Sequence, residues 1–257
     1  MNVFRRFEDL PHFKRGVATI GSFDGVHCGH RVLLGRVSEL AAETGGESVV
    51  FTFEPHPRIT LGCDDNLKLL NTTEEKLHLL EHIGIDNVVI IPFTLEFSRL
   101  TPRDFIVGCI APFGIEYLVV GYNHHFGHNK SGDFNLLSSL EGDTGLKVAE
   151  VEQQRIATDK VSSTVIRKLI GSGDMARAEK MLSAPYLILG HINKAGEILY
   201  GDSRYKLLPP SGEYDVCIDT QPAKIRITDD GRIFLCGNIG RTAGFIKIEF
   251  TKCYPAM

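Results

Sequence analysis

The first two thirds of the chain alternate short apolar runs with segments whose apolar residues recur every three or four positions. Residues 16–23 form an apolar run with β-branched residues, and residues 28–44 have helical spacing before Gly45-Gly46. The first pattern predicts a buried strand and the second an amphipathic helix. Further strands are predicted at residues 48–53, 86–92, 115–121 and 146–151, and helices at 73–82, 102–111, 133–141, 162–171 and 174–182. Thr72 or Thr73 can cap the helix at 73–82, and Glu75 can complete a capping box there. Strands alternating with helices predict an α/β domain with a doubly wound, parallel, Rossmann-like sheet.

The pattern changes near residue 184. From there the chain contains short alternating segments separated by turn residues, at 213–219, 223–228, 231–237 and 244–250. This pattern is typical of a small antiparallel β module, either a barrel or a sandwich. The sequence therefore predicts two domains, residues 1–184 and residues 185–257.

Composition narrows the class of protein. The 257 residues are 43% hydrophobic and 23% charged, with a formal net charge of −4, so no basic face indicates a nucleic-acid partner. No stretch approaches the roughly 20 apolar residues that cross a bilayer, and the N-terminus does not resemble a signal peptide. The six widely spaced cysteines are expected to be reduced thiols. Together these features predict a soluble cytoplasmic protein without a membrane partner.

Candidate chemistry begins directly after the first predicted strand, where residues 27–30 read His-Cys-Gly-His. His27 and His30 are three residues apart at a predicted helix start and are expected to share one face. Free N–H groups and the positive end of the helix dipole favour an anion there, a phosphate above all. Two other interpretations stay open: metal ligation, for which His56, His124, His125 and His128 are also available, or solvated surface histidines.

A second candidate segment opens the helix predicted at residues 162–171. Ser162 or Ser163 can cap this helix, which alone would explain the serines. Thr164 and Arg167, again three residues apart, are expected to project near the helix start, where a triphosphate tail could be held.

The two segments together resemble the nucleotidyltransferase superfamily, and within it the bifunctional riboflavin kinase/FMN adenylyltransferases, the prokaryotic FAD synthetases. The resemblance extends over most of residues 16–190. Its other signatures are Phe51-Thr52-Phe53-Glu54-Pro55-His56-Pro57, which looks like the family's TFxPHP motif, and the loop Gly121-Tyr122-Asn123-His124-His125-Phe126-Gly127. These two signatures distinguish the flavin branch from relatives that share only the superfamily motifs.

The resemblance implies a role for each matching position. The catalytic residues would be His27, His30 and Arg167. The residues that bind ATP and its phosphates would be Gly21, Phe23, Asp24, Gly29, Gly121, Asn123, Ser162, Ser163 and Thr164. The residues that bind the flavin acceptor would be Phe53, Pro55, His56, Pro57, His125 and Phe126. Mg²⁺ would bridge phosphate oxygens and would not occupy a protein cage.

The resemblance fails in two places. Residues 123–125 read Asn-His-His where many members carry Asp, then Phe or Trp, then Arg, so the substrate contacts of this loop stay open. Residues 208–214 of the C-terminal module look like the family's LPxxGxY motif, but the module has no PTAN motif. It is therefore expected to be a shortened, degenerate riboflavin-kinase-like module without kinase activity. It could stabilise the first domain, gate it, or mediate a homo-oligomer.

The resemblance thus implies an FMN adenylyltransferase, with ATP and FMN as substrates and FAD as product. Two alternatives remain open at this point. One is a flavin- or nucleotide-binding pseudoenzyme or regulator, and the other is a nucleotidyltransferase for a different phosphorylated acceptor.

Overall fold

The computed structural model describes residues 1–64, 66–122, 124–152, 155–156, 159–237 and 243–250. Contacts between Cα atoms divide the chain into two units that interleave along the sequence. The first unit comprises Met1–Phe23, Gly29–Leu67 and Leu79–Arg155, and the second comprises Asp24–Cys28, Lys68–His78 and Ile156–Met257.

The first unit is built on a six-stranded parallel sheet. Its strands are β1 (Asn2–Phe4), β2 (Gly16–Ile20), β3 (Ser48–Glu54), β4 (Asn87–Pro92), β5 (Ile115–Gly121) and β6 (Lys147–Val151), in the order β1-β4-β3-β2-β5-β6. The chain runs outward from β2 to β3 and β4, and then returns to β5 on the other side of β2. The predicted Rossmann-like parallel sheet is confirmed, with its switch point between β2 and β5.

Eight α-helices lie within the described residues. They are α1 (Cys28–Thr44), α2 (Pro57–Thr60), α3 (Thr73–Ile83), α4 (Pro102–Cys109), α5 (Phe134–Ser139), α6 (Glu141–Thr144), α7 (Ser163–Gly171) and α8 (Met175–Leu182). Short 3-10 helices occur at Phe7–Asp9, Phe97–Arg99, Ala111–Phe113 and His128–Lys130. Strands β7 (Arg155–Ile156) and β8 (Asp159–Lys160) form a separate pair.

Local signals explain the end of α1 and the start of α3. Helix α1 ends before Gly45, whose φ of 65° is left-handed and terminates a helix readily. At α3 the backbone N–H of Thr72 donates to the Glu75 carboxylate, and the N–H of Glu75 donates to the Thr72 hydroxyl. These two bonds form the predicted capping box.

The second unit contains a closed antiparallel barrel. Its strands are β9 (Tyr186–Ile192), β10 (Glu197–Tyr200), β11 (Gly212–Ile218), β12 (Gln221–Ile227), β13 (Ile233–Cys236) and β14 (Gly244–Phe250), in the order β10-β13-β12-β11-β14-β9. The predicted all-β module is confirmed. Because its sheet closes on itself, the module is a barrel and not a sandwich. Closing the sheet removes the exposed strand edges.

Helices α7 and α8 share the hydrophobic core of the barrel. Ile166, Ile170 and Ala178 from these helices are fully buried and cluster with barrel residues such as Ile188 and Ile246. The change of pattern predicted near residue 184 therefore lies within the second unit, between α8 and β9. The division into folding domains 1–184 and 185–257 stays a prediction.

Several details differ from the sequence-based expectations. The strand predicted at residues 16–23 ends at Ile20. Strand β1 and helices α2 and α6 were not predicted, because segments of three or four residues are too short to show a period. The expectation that all cysteines are free thiols is wrong for Cys217, which is disulfide-bonded. In the part of the chain that the structure describes, no helix is long and apolar enough to span a membrane.

Leu118 in β5 tests the core of the first unit, because its side chain is completely buried. The Leu118→Ala variant is expected to lose about 2–5 kcal/mol of unfolding free energy in urea, from lost burial and the cavity left behind. Leu95, which is 57% exposed, provides the control. Leu95→Ala is expected to change the unfolding free energy by less than about 0.5 kcal/mol. Equal effects of both variants would contradict the assigned burial.

Candidate active site

Three predicted segments follow the carboxyl ends of neighbouring strands in the first unit. Gly21 follows β2 and donates its N–H to the Phe51 carbonyl at 3.0 Å. Residues 55–57 follow β3, and Gly121 is the last residue of β5. Because β3, β2 and β5 are adjacent and parallel, these ends meet at one edge of the sheet. Open parallel sheets bind ligands at this edge, next to the switch point.

The turn between β2 and α1 has unusual backbone angles. Phe23, Gly25 and Val26 have φ values of 48°, 86° and 39°. These left-handed angles are unfavourable for Phe and still more so for the β-branched Val. A residue keeps such angles only where the surrounding structure holds it in place. A Cβ atom added to Gly25 would lie 2.5 Å from Cδ1 of Leu70. Side-chain packing and backbone angle therefore both require glycine at this position.

The predicted histidines lie on either side of the start of α1. His27 immediately precedes Cys28, the first helical residue, whereas Gly29 and His30 lie in the first turn. The ring of His30 meets the buried Phe23 edge-on, with ring centroids 5.2 Å apart. Both histidines thus lie at a helix start, where the positive end of the helix dipole favours an anion.

His27 is a neutral imidazole at physiological pH. Its side chain is only 8% exposed, and burial lowers its pKa to about 4, although the Asp24 charge and a backbone hydrogen bond act in the opposite direction. A neutral imidazole offers one N–H donor and one acceptor nitrogen. An anion arriving beside it would favour its protonated form.

Asp24 and Arg167 form a buried ion pair within the second unit. Nη2 of Arg167 lies 2.5 Å from Oδ2 of Asp24, and the two side chains are 15% and 4% exposed. Oδ1 of Asp24 accepts from the backbone N–H groups of Leu70 at 2.8 Å and Asn71 at 3.2 Å. Nε of Arg167 donates to the carbonyl of Lys68 at 2.7 Å. Both carboxylate oxygens are thus engaged within the protein.

The start of α7 adds donors to the same region of the second unit. Ser162 is the N-cap, and its hydroxyl accepts from the N–H of Val165 at 3.4 Å. The hydroxyl of Ser163 donates to the backbone carbonyl of Asp24 at 2.9 Å. Thr164 is exposed in the first turn. The structure therefore brings Asp24, Ser163 and Arg167 together, and Ser162 has the capping role that the sequence allowed.

Five phenylalanines of the first unit form an aromatic cluster. Its members are Phe53, Phe93, Phe97, Phe105 and Phe126, with successive ring centroids 5.4–6.3 Å apart. These rings line a cavity of about 60 Å³ together with Ser98, Leu100 and Gly127. That volume is smaller than the roughly 300–1,000 Å³ typical of ligand pockets. A flavin ring would enter only if the cluster opened.

The other predicted acceptor residues do not line this cavity. Pro55 follows a cis peptide bond, and His56 is the N-cap of α2, where its Nδ1 accepts from the N–H of Arg58 at 3.2 Å. Pro57 is the first residue of α2, and His125 is exposed. Asn123 lies outside the described residues.

His124 was not predicted as an acceptor residue, yet it contacts the aromatic cluster. Its ring stacks on Phe126 with centroids 5.5 Å apart and planes 22° from parallel. Burial and the neighbouring His125 lower the pKa of His124 to about 4. The His124 imidazole therefore stacks on the aromatic cluster and brings two polar nitrogens to it.

The metal interpretation of the histidines gains no support from the geometry. Within the described ranges, no group of three or more His, Cys, Asp or Glu side chains is arranged to hold a metal ion. The additional histidines have other contacts, as shown by His56 at α2 and by Nδ1 of His128, 3.1 Å from the Ser98 carbonyl.

A larger cavity, of about 830 Å³, lies in the second unit beside the loop at residues 201–211. Its charged lining residues are Lys68, Arg204, Lys206, Arg232, Glu197, Asp229 and Asp230. The charge of Lys206 is neutralised by Glu75, so the remaining cations and anions are equal in number. This balance does not favour a triphosphate, and volume alone does not identify an active site.

Comparison with known proteins identifies the family. A model of the FAD synthetase family matches residues 10–165, which include the segments after β2, β3 and β5. The chain belongs to the FAD synthetase family.

Two curated relatives resemble the chain over most of its length. The bifunctional riboflavin kinase/FMN adenylyltransferase of Listeria monocytogenes is 31% identical over 189 residues, which are 73% of this chain and 58% of the relative. The Bacillus subtilis protein of the same name is 31% identical over 215 residues, covering 79% of this chain and 67% of the relative. The matched chain thus represents between half and two thirds of these relatives.

A solved structure confirms the fold. The crystal structure of a protein named macrolide-efflux protein from Streptococcus pneumoniae superposes with a TM-score of 0.82 at 21% identity. The superposition covers 100% of this chain and 91% of that one. At this identity the likeness concerns the fold alone.

Sequence reasoning missed the residues that support Arg167. The carbonyl of Lys68 and the N–H groups of Leu70 and Asn71 belong to an irregular segment whose sequence has no recognisable motif. Glu75 was recognised only as a capping residue, although it is also paired with Lys206. A charged residue at an otherwise apolar position is the signal that could have suggested such a pair.

The protonation of His27 can be followed by NMR of labelled histidine side chains, with the resonance assigned through its loss in His27→Gln. The His27 signal is expected to remain that of neutral imidazole until pH approaches about 4. The unfolded chain protonates near pH 6.5 and thus binds more protons in this window. The contribution of His27 therefore lowers stability as pH falls from about 6.5 to about 4, and His27→Gln should reduce this slope. A midpoint near 6.5 would contradict the assigned environment.

Proposed function

We propose that the protein is an FMN adenylyltransferase that transfers AMP from ATP to FMN, giving FAD and pyrophosphate. The geometry that supports this proposal is the grouping of Asp24, Ser163 and Arg167 in contact, with His27 electrostatically coupled to Asp24. A phosphate oxygen of FMN would attack the α-phosphorus of ATP, while the bond from that phosphorus to the β-phosphate oxygen breaks. FMN contributes an anionic nucleophile, so the reaction needs no separate base.

Catalysis of this reaction depends on donors that stabilise the charge on the phosphate oxygens. In this proposal, His27, His30 and the N–H groups at the start of α1 bind the reacting phosphate. Ser163, Thr164 and Arg167 bind the leaving pyrophosphate. Gly21, Phe23 and Gly29 shape the turn that admits ATP.

Mg²⁺ carried by the triphosphate would neutralise part of the negative charge that develops there. The carboxylate of Asp24 is engaged by Arg167 and two backbone N–H groups. This arrangement fits a metal ion held by the phosphates and not by the protein.

The acceptor would bind at the edge of the first unit's sheet. Phe53 and Phe126 would contact the flavin ring after the aromatic cluster opens, with Pro55, His56, Pro57 and His125 around it. Gly121 and Asn123 would line the nucleotide. The protein would act in the cytoplasm, where ATP and FMN are available.

The altered loop favours a second candidate, a nucleotidyltransferase for a different phosphorylated acceptor. His124 presents imidazole nitrogens where the family pattern has an apolar ring, and the cavity of about 60 Å³ is small for a flavin. A flavin-binding regulator without turnover is the third possibility. The missing PTAN motif supports the further proposal that riboflavin kinase activity is absent.

The substrate can be tested with purified protein, Mg-ATP and either FMN or riboflavin, with products separated by chromatography. FAD and pyrophosphate are expected from FMN, and no FMN is expected from riboflavin. Formation of FMN from riboflavin would contradict the loss of the kinase. Tight FMN binding without turnover would favour the regulator, and turnover of another phosphorylated acceptor would favour the second candidate.

The role of His27 can be tested by the His27→Ala variant. Loss of one preorganised donor to the transition state is expected to lower kcat by about 10²- to 10³-fold, with a smaller effect on the KM for ATP. His82→Ala provides the control, because His82 is exposed at the end of α3. Circular dichroism checks that both variants are folded. Unchanged turnover in His27→Ala would refute the role.

A further inference from the structure

The second unit contains an ion pair that is completely removed from solvent. Nζ of Lys206 lies 2.6 Å from Oε2 of Glu75, and neither side chain has any exposed surface. Lys206 lies in the loop between β10 and β11, whereas Glu75 lies in the first turn of α3. The desolvation of two charges is tolerated only when their remaining hydrogen-bonding groups are also satisfied.

The backbone satisfies those groups on both sides of the pair. Nζ of Lys206 also donates to the carbonyls of Leu70 at 2.8 Å and Leu187 at 2.9 Å, so all three of its donors are used. Oε1 of Glu75 accepts from the N–H of Leu189 at 3.1 Å. Leu187 and Leu189 belong to barrel strand β9. The pair therefore joins α3 and residue 70 to the barrel.

Residues 68–71 are bound to the barrel loop along most of their length. The N–H of Leu69 donates to the carbonyl of Tyr205 at 2.7 Å, and the N–H of Leu207 donates to the carbonyl of Leu69 at 2.8 Å. Nζ of Lys68 donates to the carbonyl of Arg204 at 2.6 Å. With the bond from Lys206 to Leu70, the loop at residues 204–207 fixes the position of this segment.

The same segment determines the position of Arg167. The carbonyl of Lys68 accepts from Nε of Arg167, and the N–H groups of Leu70 and Asn71 hold the Asp24 carboxylate that pairs with Nη2. Displacement of residues 68–71 would therefore remove the Lys68 carbonyl that accepts from Nε of Arg167. It would also release the Asp24 carboxylate that binds Nη2 of Arg167.

We propose that Lys206 is a positioning residue for AMP transfer, acting on Arg167 through residues 68–71 and Asp24. The inference rests on the proposed function and gives the barrel a part in it. The barrel holds the segment that orients the guanidinium toward the phosphates of ATP and pyrophosphate. Lys206 itself contacts neither substrate, and its effect should appear in the binding of those phosphates.

The first test compares Lys206→Met with Lys224→Met. Lys224 is a matched control, because it also belongs to the barrel but is 49% exposed and forms only a loose pair with Asp215 at 3.6 Å. Lys206→Met is expected to weaken binding of Mg-pyrophosphate, measured by calorimetry, by about 10- to 100-fold, as misplacement of a binding group does. The KM for FMN should change by less than about twofold, and Lys224→Met should match the wild type.

A second variant distinguishes lost positioning from misfolding. It is needed because Lys206→Met alone leaves the Glu75 charge buried without its partner. Lys206→Met combined with Glu75→Gln removes that charge and keeps a side-chain oxygen for the capping box. Near-UV circular dichroism identifies the variants that are folded. The double variant, once folded, is expected to show the same weak pyrophosphate binding. Binding equal to that of the wild type would overturn the proposal.

A double-mutant cycle separates positioning from a general structural effect. Arg167→Lys alone should weaken pyrophosphate binding, because lysine lacks the planar fork that engages both acceptors. Adding Lys206→Met to Arg167→Lys should weaken it little further if Lys206 acts through Arg167, whereas independent effects would multiply. Multiplying effects would overturn the proposal. A wild type that binds pyrophosphate but makes no FAD would refute the proposed function while leaving this cycle interpretable.

Discussion

The burial of one carboxylate imposes most of the geometry around Arg167. Asp24 is 3% exposed, so its charge must be balanced and both oxygens must accept hydrogen bonds. Two backbone N–H groups and one guanidinium meet that requirement. Because the aspartate side chain is short, the backbone itself must turn into the interior, and the left-handed angles at Phe23, Gly25 and Val26 accompany that turn. The turn brings the carboxylate inward, and the ion pair balances its charge there.

A second buried pair, Glu75 with Lys206, extends this arrangement toward the barrel. Replacing such pairs by apolar residues is often no less stable, so stability alone does not explain them. A core of Leu, Ile and Val side chains tolerates several packings, whereas a buried charge is satisfied in only one arrangement. In the second unit, two charge pairs specify how residues 68–75 lie against α7 and β9. Such specificity suits a segment whose carbonyl and N–H groups orient Arg167.

The features that the sequence predicted are those with local causes. Helix α1 followed from its spacing and its terminal glycine, and the capping box of α3 from residues three apart. Alternation predicted four of the six barrel strands and missed β9 and β10. It did not predict closure, since closure depends on pairing between distant strands. The contact between Asp24 and Arg167 joins residues 143 positions apart. His56 shows what a motif does not distinguish. A His-Pro pair can bind a ligand, but here the His56 side chain caps helix α2.

The interleaving of the two units has a consequence for how this gene can be divided. The second unit takes residues from three separate stretches of the chain, two of which lie between stretches of the first. A gene truncated after Ala184 would encode Glu75 without Lys206, and would retain Asp24 while losing the loop that supports its N–H donors. Substitutions within the barrel can therefore accumulate one residue at a time, whereas deletion of residues 185–257 would remove groups on which the surroundings of Asp24 and Glu75 depend. The two units can thus be altered residue by residue, but no single cut in the gene separates them.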